Sequence, residues 1–231
     1  MHIHLEQYPE KPNIVGGFPT LGLIGTITTE FLLEHLETVK IGRVVFEKAQ
    51  PMIAIHKGKI IDPIGIYYNK KHNLVIVHVI AKLDGLEWDI ANILIELAKQ
   101  LDAWQVICLE GVIDAQATEP KIYYYTTHQE GSITQAKPLE EGIVMGVSGA
   151  LMTKAKDLNI TAYFATTHSQ LPDSNAAAAV IQVLDANLGL QVDPHPLEEQ
   201  AVVFEKKLKM LMENSQKSLS EKEKKSMSYV G

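Results

Sequence analysis

The sequence predicts an α/β fold with a mixed, mostly parallel sheet flanked by helices. Short, continuously apolar runs recur along the chain, as is typical of parallel strands that are covered on both faces. A helical apolar pattern over residues 87–102 passes directly into one of these runs, as in a βαβ unit. Strand-like runs on both sides of residues 57–58 indicate a local hairpin, and an antiparallel pair beside parallel units makes the sheet mixed.

The strands are predicted from the apolar runs in chain order. The stretch over residues 51–69 differs from the others, because two strand-like runs flank HKGK and Lys57-Gly58 suits a hairpin tip. The remaining predicted strands are NIVGGF (13–18), RVVFEKA (43–49), LVIVHVIA (74–81), WQVICLEGV (104–112), GIVMGVSG (142–149) and ITAYFATT (160–167).

The helices are predicted from apolar spacing and from cap residues. A second helix starts at Asp173, which follows a proline and is a good N-cap, and stops at Gly189, which suits a left-handed C-cap. A third covers residues 197–213. The first and third helices have apolar faces made by Ile90, Ile93, Leu94, Leu97 and Leu101, and by Leu197, Ala201, Phe204, Leu208 and Leu211.

The chain divides into one domain and a tail. After Asn214 the sequence becomes SQKSLSEKEKKS, a charged stretch too poor in apolar residues to offset the entropy of ordering. We therefore expect a single α/β domain over residues 1–213 and a flexible charged tail over residues 214–231.

Composition excludes several classes of protein. No apolar run approaches the roughly 20 residues that span a bilayer, and the N-terminus lacks the basic and apolar regions of a secretory signal. The one cysteine, Cys108, cannot form an intramolecular disulfide, so we expect a cytoplasmic protein. A net charge of −7 argues against nucleic acid as the main partner.

The first candidate for chemistry is the turn VGGFPTLGLIG, with glycines at 16, 17, 22 and 25 between a strand and a helix. Such a junction can direct backbone amides at a phosphate. However, the spacing matches neither G-x-G-x-x-G nor the P-loop, and no lysine follows Gly22. Close packing of the helix on the sheet explains the glycines equally well.

The second candidate is Ser148 in MGVSGALM, which approaches the G-x-S-x-G pattern of a nucleophile elbow without matching it. His168 and either Asp173 or Asp193 follow it in the chain, with nothing in the sequence to fix their geometry. A serine also fits such a turn because it is small.

Metal ligands are not indicated by the spacing of the histidines. The nine histidines are scattered, and only His2 and His4 are close together. His78, inside VIVHVIA, is better interpreted as a partnered core or interface histidine than as a ligand.

Five stretches, taken in order, resemble the archaeal branch of the proteasome assembly chaperone 2 family over residues 12–213. The most specific is the last, in which an Asp-x-x-x-Leu-x-x-x-Ala passage leads into the final helix, as in the family pattern. The stretches are PNIVGGFPTLGLIG, KGKIIDPIGIYY, GVSGALM, LPDSNAAAAVIQVL and LGLQVDPHPLEEQAVVFEKKL.

The resemblance implies a three-layer α/β domain similar to the nucleoside phosphorylase-like fold. It implies a non-enzymatic chaperone or adaptor that binds proteasome α subunits during assembly of the 20S particle, as a homo-oligomer without a cofactor or metal. The family has also been grouped with ATP-grasp enzymes, but this chain lacks a lysine-bearing phosphate loop and a carboxylate metal cluster. A nucleotide- or nucleoside-binding enzyme using the 16–25 turn, and a scaffold for another client, remain the alternatives.

The resemblance also gives the chain's last residues a role. Family members can carry a tail similar to the hydrophobic–Tyr–any ending of proteasome activators, which inserts between adjacent α subunits. The partner-binding residues would be Met227, Tyr229, Val230 and Gly231, with the aromatic ring as the anchor. Ser228 precedes the tyrosine where the pattern has an apolar residue, so the docking register is left open.

Overall fold

The structure is a computed structural model of the protein. It describes residues 2–197, apart from residues 48–52, 57, 83, 115, 117–118, 129–132 and 169, together with Met210. The predicted last helix beyond Leu197 and the predicted tail lie outside the described residues, so the domain boundary at residue 213 stays a prediction. Leu197 itself is buried against the domain.

The described residues form one large sheet and a separate hairpin. The sheet contains nine strands in the order β1-β3-β6-β7-β2-β8-β11-β9-β10, and β4 pairs only with β5. The strands are β1 (His2–Leu5), β2 (Asn13–Gly17), β3 (Val39–Val45), β4 (Ala54–His56), β5 (Lys59–Ile61), β6 (Ile64–Asn69), β7 (Leu74–Val79), β8 (Gln105–Ile113), β9 (Ile122–Thr126), β10 (Lys137–Pro138) and β11 (Ile160–Thr167).

The centre of the sheet is parallel and its flanks are mixed. Strands β7, β2, β8 and β11 are neighbours in parallel register. On one side β6, β3 and β1 are added antiparallel to one another, and on the other side β9 is antiparallel to β11 and parallel to β10. The predicted mixed sheet with parallel units is confirmed, but its antiparallel pairs come from these flanking strands and not from the predicted hairpin, which is outside the sheet.

Helices cover both faces of the sheet and create two cores. The helices are α1 (Ile24–His35), α2 (Glu87–Gln100), α3 (Gly146–Lys154) and α4 (Ser174–Leu188). Helices α2 and α3 pack in one core and α1 and α4 in the other. Within β8, Val106 and Cys108 belong to the first core and Ile107 and Leu109 to the second, because alternate side chains point to opposite faces. The three-layer arrangement is confirmed.

The cap residues predicted for α4 are present. The carboxylate of Asp173 accepts a hydrogen bond from the amide of Ala176 at 2.9 Å, and Gly189 ends the helix with a φ of 63°. The predicted helix over 87–102 is α2, with the predicted apolar residues Ile90, Ile93, Leu94, Leu97 and Leu101 buried against the sheet.

One predicted strand is wrong. Residues 142–149 do not form a strand, since α3 begins at Gly146 and the residues before it are a loop. Gly146 has a φ of 70°, which interrupts an extended backbone. The run looked like a strand because Ile143, Val144, Met145 and Val147 are all apolar, but of these four only Val147 is fully buried.

The other strand predictions differ mainly at their ends. Strand β3 begins at Val39 and stops at Val45, earlier than the predicted run over 43–49. Strands β1, β9 and β10 were not predicted. The hairpin is confirmed, with His56 opposite Lys59 on either side of the predicted tip.

Candidate partner-binding surface

The carboxyl ends of the four parallel strands meet at one edge of the sheet. In open α/β sheets this edge is where ligands commonly bind. The glycine-rich turn follows β2 there, α2 begins after β7, and α4 begins after β11. The glycine-rich turn, Ser148 and Asp173, which are the candidate functional residues from the sequence, all lie near this edge.

The glycines of the turn are needed for close backbone contact. A Cβ added at Gly17 would lie 2.2 Å from the carbonyl oxygen of Gly25 in α1, and one added at Gly111 would lie 2.2 Å from the carbonyl oxygen of Leu21. Both distances are far below a van der Waals contact. The turn is thus pressed between α1 and β8, which is the packing explanation for these glycines.

The start of α1 is closed rather than open to an anion. A short 3₁₀ turn, Leu21–Leu23, precedes the helix, and Leu23, Ile24 and Gly25 are buried. The carbonyl oxygen of Gly22 accepts a hydrogen bond from the amide of Asp173 at 2.9 Å, which joins the turn to the start of α4. This geometry does not favour a nucleotide phosphate at the 16–25 turn, because phosphate sites at helix N-termini present accessible amides.

Ser148 is held by a carboxyl group and not by a histidine. Its hydroxyl donates to Glu110 Oε1 at 2.6 Å, and its side chain is fully buried in α3. His168 is exposed, while Asp173 caps α4 and accepts from Thr167 at 2.8 Å. The structure therefore does not bring together the serine, histidine and aspartate that a nucleophile elbow requires.

Two buried groups, Glu110 and Cys108, have raised pKa values. Burial raises the pKa of Glu110, and the hydrogen bond from Ser148 lowers it by a smaller amount. Burial, followed by the nearby charge of Glu110, raises the pKa of Cys108 to about 12. A thiol that is neutral and buried is a poor nucleophile and metal ligand.

His78 is a partnered core histidine, as predicted. It is buried in β7, with Nδ1 2.9 Å from the hydroxyl of Thr29 and Nε2 3.1 Å from Glu30 Oε2. Both partners belong to α1, so the imidazole ties this helix to the sheet. Thr29 is itself completely buried, so this hydroxyl is closed to a substrate.

The described residues lack two further features, a metal-binding cluster and a membrane-spanning helix. In this part of the chain, no three His, Cys, Asp or Glu side chains are grouped closely enough to hold a metal ion. Nor does it contain a helix with the length and apolar character needed to cross a bilayer.

Exposed apolar side chains collect at the carboxyl edge. Trp88 at the start of α2 is 52% exposed, and Ile143 and Met145 in the loop before α3 are 91% and 77% exposed. Ile113 at the end of β8 and Leu171 before α4 are also exposed. Single exposed apolar residues are ordinary, but several at one edge indicate a surface for another protein.

Part of this surface is a groove between α2 and α3, which we call the α2/α3 groove. It has a volume of about 300 Å³ and is lined by Glu87, Trp88, residues 144–146, Gly149, Ala150 and Thr153. Lys154 Nζ lies 5.4 Å from the centroid of the Trp88 ring and donates to Asn92 Oδ1 at 2.7 Å, which links the two helices beside the groove.

Comparison with family models tests the family resemblance that was found in the sequence. The model of the PAC2 family matches residues 14–212, which is most of the chain. The chain belongs to the PAC2 family. The resemblance inferred from the five sequence stretches is confirmed, and it extends through both cores of the domain.

Two solved structures from the archaeon Pyrococcus furiosus have the same fold. The chain is similar to Pyrococcus furiosus PbaA, an archaeal homolog of proteasome-assembly chaperone, with 27% identity, a TM-score of 0.82, and coverage of 94% of this chain and 99% of PbaA. Pyrococcus furiosus PbaB, an archaeal proteasome activator, shares the fold at 21% identity and a TM-score of 0.71, covering 91% and 98% of the two chains.

A curated relative is similar to this chain along nearly the whole sequence. An uncharacterized protein of Methanocaldococcus jannaschii is 25% identical over 230 residues, which is 96% of this chain and 94% of that protein. The similarity therefore involves proteins of matching length.

The predicted partner-binding residues Met227, Tyr229, Val230 and Gly231 lie outside the described residues, so their role stays a prediction. The exposed residues at the carboxyl edge were not singled out from the sequence. Ile143 and Met145 were assigned to a buried strand, and that assignment concealed their exposure. The signal available was Gly146, since a glycine inside an apolar run often marks a break in the strand.

Proposed function

We propose that the protein is a non-enzymatic chaperone or adaptor that binds proteasome α subunits or the 20S particle and assists its assembly. The observation that carries this proposal is the likeness to PbaA at a TM-score of 0.82 over 94% of this chain and 99% of that one. The shared fold extends over most of both chains, which supports a shared role.

The use of polar groups at the carboxyl edge supports a binding role rather than catalysis. Ser148 donates to a buried carboxyl group, and Asp173 is engaged as a helix cap. The start of α1 is buried beneath the glycine-rich turn. Among the described residues, this edge presents the exposed side chains of Trp88 and Met145.

We also propose that the last residues supply the docking segment. Tyr229 would anchor in a pocket between two α subunits, with Met227, Val230 and Gly231 beside it, and the charged stretch before them would keep the segment accessible. Several copies in a homo-oligomer would strengthen a weak single contact through effective concentration. A role on proteasome α subunits would have the protein act in the cytoplasm.

A binding experiment with purified α subunits tests the proposal. We expect the full chain to bind, and a chain ending at Ser220 to keep its fold while binding more weakly. Tyr229→Ala should lose about 2 kcal/mol per site, which is more than tenfold in affinity, whereas the neighbouring Ser228→Ala should change little.

The outcomes separate the parts of the proposal. If the chain ending at Ser220 binds as well as the full chain, the tail has no part in docking. If the full chain does not bind α subunits but captures another client, the protein is a scaffold of a different kind and the proposed function is wrong.

A further inference from the structure

A buried carboxyl group lies where the loop before α3 turns into the helix. Glu110 is near the end of β8 and is only 7% exposed, and it accepts a hydrogen bond at 2.6 Å from the hydroxyl of Ser148 in the first turn of α3. Gly146, the first residue of the helix, faces the same oxygen, since a Cβ added there would lie 4.0 Å from Glu110 Oε1. The carboxyl group therefore joins β8 to the start of α3.

The loop that precedes α3 is packed on this helix start. A Cβ added at Gly149 would lie 2.6 Å from the carbonyl oxygen of Val144, so the loop passes directly against the first turn of the helix. Gly146 connects the two with a φ of 70°, a conformation that glycine adopts readily and that suits a hinge. A movement of the helix start would therefore move the exposed side chains of Ile143 and Met145 with it.

Among the described residues, no cation balances the charge of this carboxyl group. None of their ion pairs involves Glu110. The groups around it are the hydroxyl of Ser148 on α3, the ring of Phe164 on β11, and the thiol of Cys108 on β8, which burial keeps neutral by raising its pKa to about 12. An ionised carboxylate in this site would lose its water and gain the hydroxyl of Ser148 in return.

Ionisation of Glu110 should therefore favour release of the helix start. Burial without a cation disfavours the charged form, so the pKa of Glu110 is raised while the site is closed. Moving the start of α3 away from β8 would let water reach the carboxylate. The closed site is then fully favoured below the ordinary pKa of 4.5, and this preference is lost as pH rises through the raised pKa.

We propose that Glu110 and Ser148 form a pH-sensitive latch, in which the protonated carboxyl group holds the start of α3 and the loop over residues 139–145 against β8, and its ionisation releases them. Gly146 is the hinge of this movement. Because the loop carries exposed apolar side chains, the latch makes the shape of the surface at the carboxyl edge depend on pH. Helix α4, which is capped by Asp173 at the same edge, does not take part.

Amide exchange of the chain alone between pH 4 and pH 8 tests the latch. The amide of Gly149, which donates to Met145 at 3.3 Å, reports the start of α3. The amide of Ala177, which donates to Asp173 at 3.1 Å, reports the start of α4 and is the matched control. Both amides share the same intrinsic dependence on pH, so the ratio of their rates isolates the local opening.

The ratio of the Gly149 rate to the Ala177 rate should rise with pH, by up to about tenfold per pH unit between the ordinary and the raised pKa of Glu110. A ratio that stays constant over this range overturns the proposal. The measurement needs no client, so its outcome is independent of binding to α subunits.

Glu110→Gln should abolish the rise, because glutamine cannot ionise and can still accept from Ser148. Glu10→Gln, at an exposed carboxylate, is the control variant and should keep the rise. A rise that persists in Glu110→Gln would also overturn the proposal. If the glutamine variant does not fold, the ratio in the unmodified chain decides the question by itself.

Ser148→Ala separates a latch from a purely structural contact. The hydroxyl of Ser148 stabilises the ionised carboxylate, so its removal should raise the pKa of Glu110 further and enlarge the total rise of the ratio. A contact that only supports the helix would instead change the ratio by the same factor at every pH, and that result would contradict the proposal.

Discussion

The hydroxyl of Ser148 lies 2.6 Å from Oε1 of Glu110, and both side chains are buried. The serine that resembled a nucleophile is thus the partner of a buried carboxyl group, and it holds the start of α3 against β8. Because burial raises the pKa of Glu110, the stability of the domain should depend on pH in a defined direction.

Glu110→Gln should remove part of this pH dependence. The folded pKa of Glu110 is raised, so its contribution to stability is present below the unfolded pKa of about 4.5 and is lost as pH rises through the folded pKa. The unmodified chain should lose up to about 1.4 kcal/mol per pH unit in that window from this group. Glutamine is neutral and can still accept from Ser148, so the variant should be the more stable of the two at pH 8.

Urea unfolding between pH 4 and pH 8 measures this difference. Glu10→Gln, at an exposed carboxylate, is the control and should follow the unmodified chain. Equal pH profiles for Glu110→Gln and the unmodified chain would show that the Glu110 carboxyl group titrates normally.

Gly17→Ala should destabilise the domain strongly. The new methyl group would meet the carbonyl oxygen of Gly25 and the side chain of Thr29, so α1 would have to move from the sheet. Overpacking of this kind costs about 1–3 kcal/mol or more in unfolding free energy. Gly142→Ala, which meets only ordinary contacts with Leu139 at 3.4 Å, should lie within about 0.5 kcal/mol of the unmodified chain. Comparable stability of the two variants in urea would contradict the packing explanation for the turn.

His78→Leu should loosen α1 from the sheet. The substitution removes the ring nitrogens that lie 2.9 Å from Thr29 and 3.1 Å from Glu30, in a site that is almost fully buried. Loss of a buried polar partner costs about 1–3 kcal/mol. Amide exchange in α1 should accelerate accordingly. His4→Leu on the exposed part of β1 is the control. Equal amide exchange in the two variants would argue against a role of His78 in holding α1 on the sheet.

Nucleotides and nucleosides should leave the melting temperature unchanged. A ligand at 100 times its dissociation constant would add about 2.7 kcal/mol, or roughly 5–10 °C for a domain of this size. The buried start of α1 gives a phosphate no such site. A shift of several degrees with ATP or a nucleoside, abolished by a substitution in the 16–25 turn, would restore the enzyme alternative.

The layers of the fold could be predicted because each signal was local. Continuous apolar runs marked the central strands, and Asp173 and Gly189 marked the ends of α4. Strand β9, with the sequence IYYYT, was missed although its tyrosines and isoleucine are typical of strands. Strand β1 is partly exposed at the sheet edge and gives a weaker apolar signal.

The candidate surface at the carboxyl edge of the sheet could not be predicted, because its residues come from distant parts of the chain. Glu110 and Ser148 are 38 residues apart, and nothing in their spacing indicates that they form a pair. Trp88 and Met145 line the same groove only because α3 packs on α2. The assignment of residues 142–149 to a strand hid this packing, since a helix and a strand that cover the same core are equally apolar over a few residues.

Sedimentation of the full chain with purified proteasome α subunits tests the central claim most directly. The proposed function predicts a complex containing both proteins in the absence of nucleotide, because recognition depends on surfaces and a docking segment. If the two proteins sediment separately at concentrations of about 10 µM, well above the micromolar affinity of a weak specific complex, the claim is contradicted.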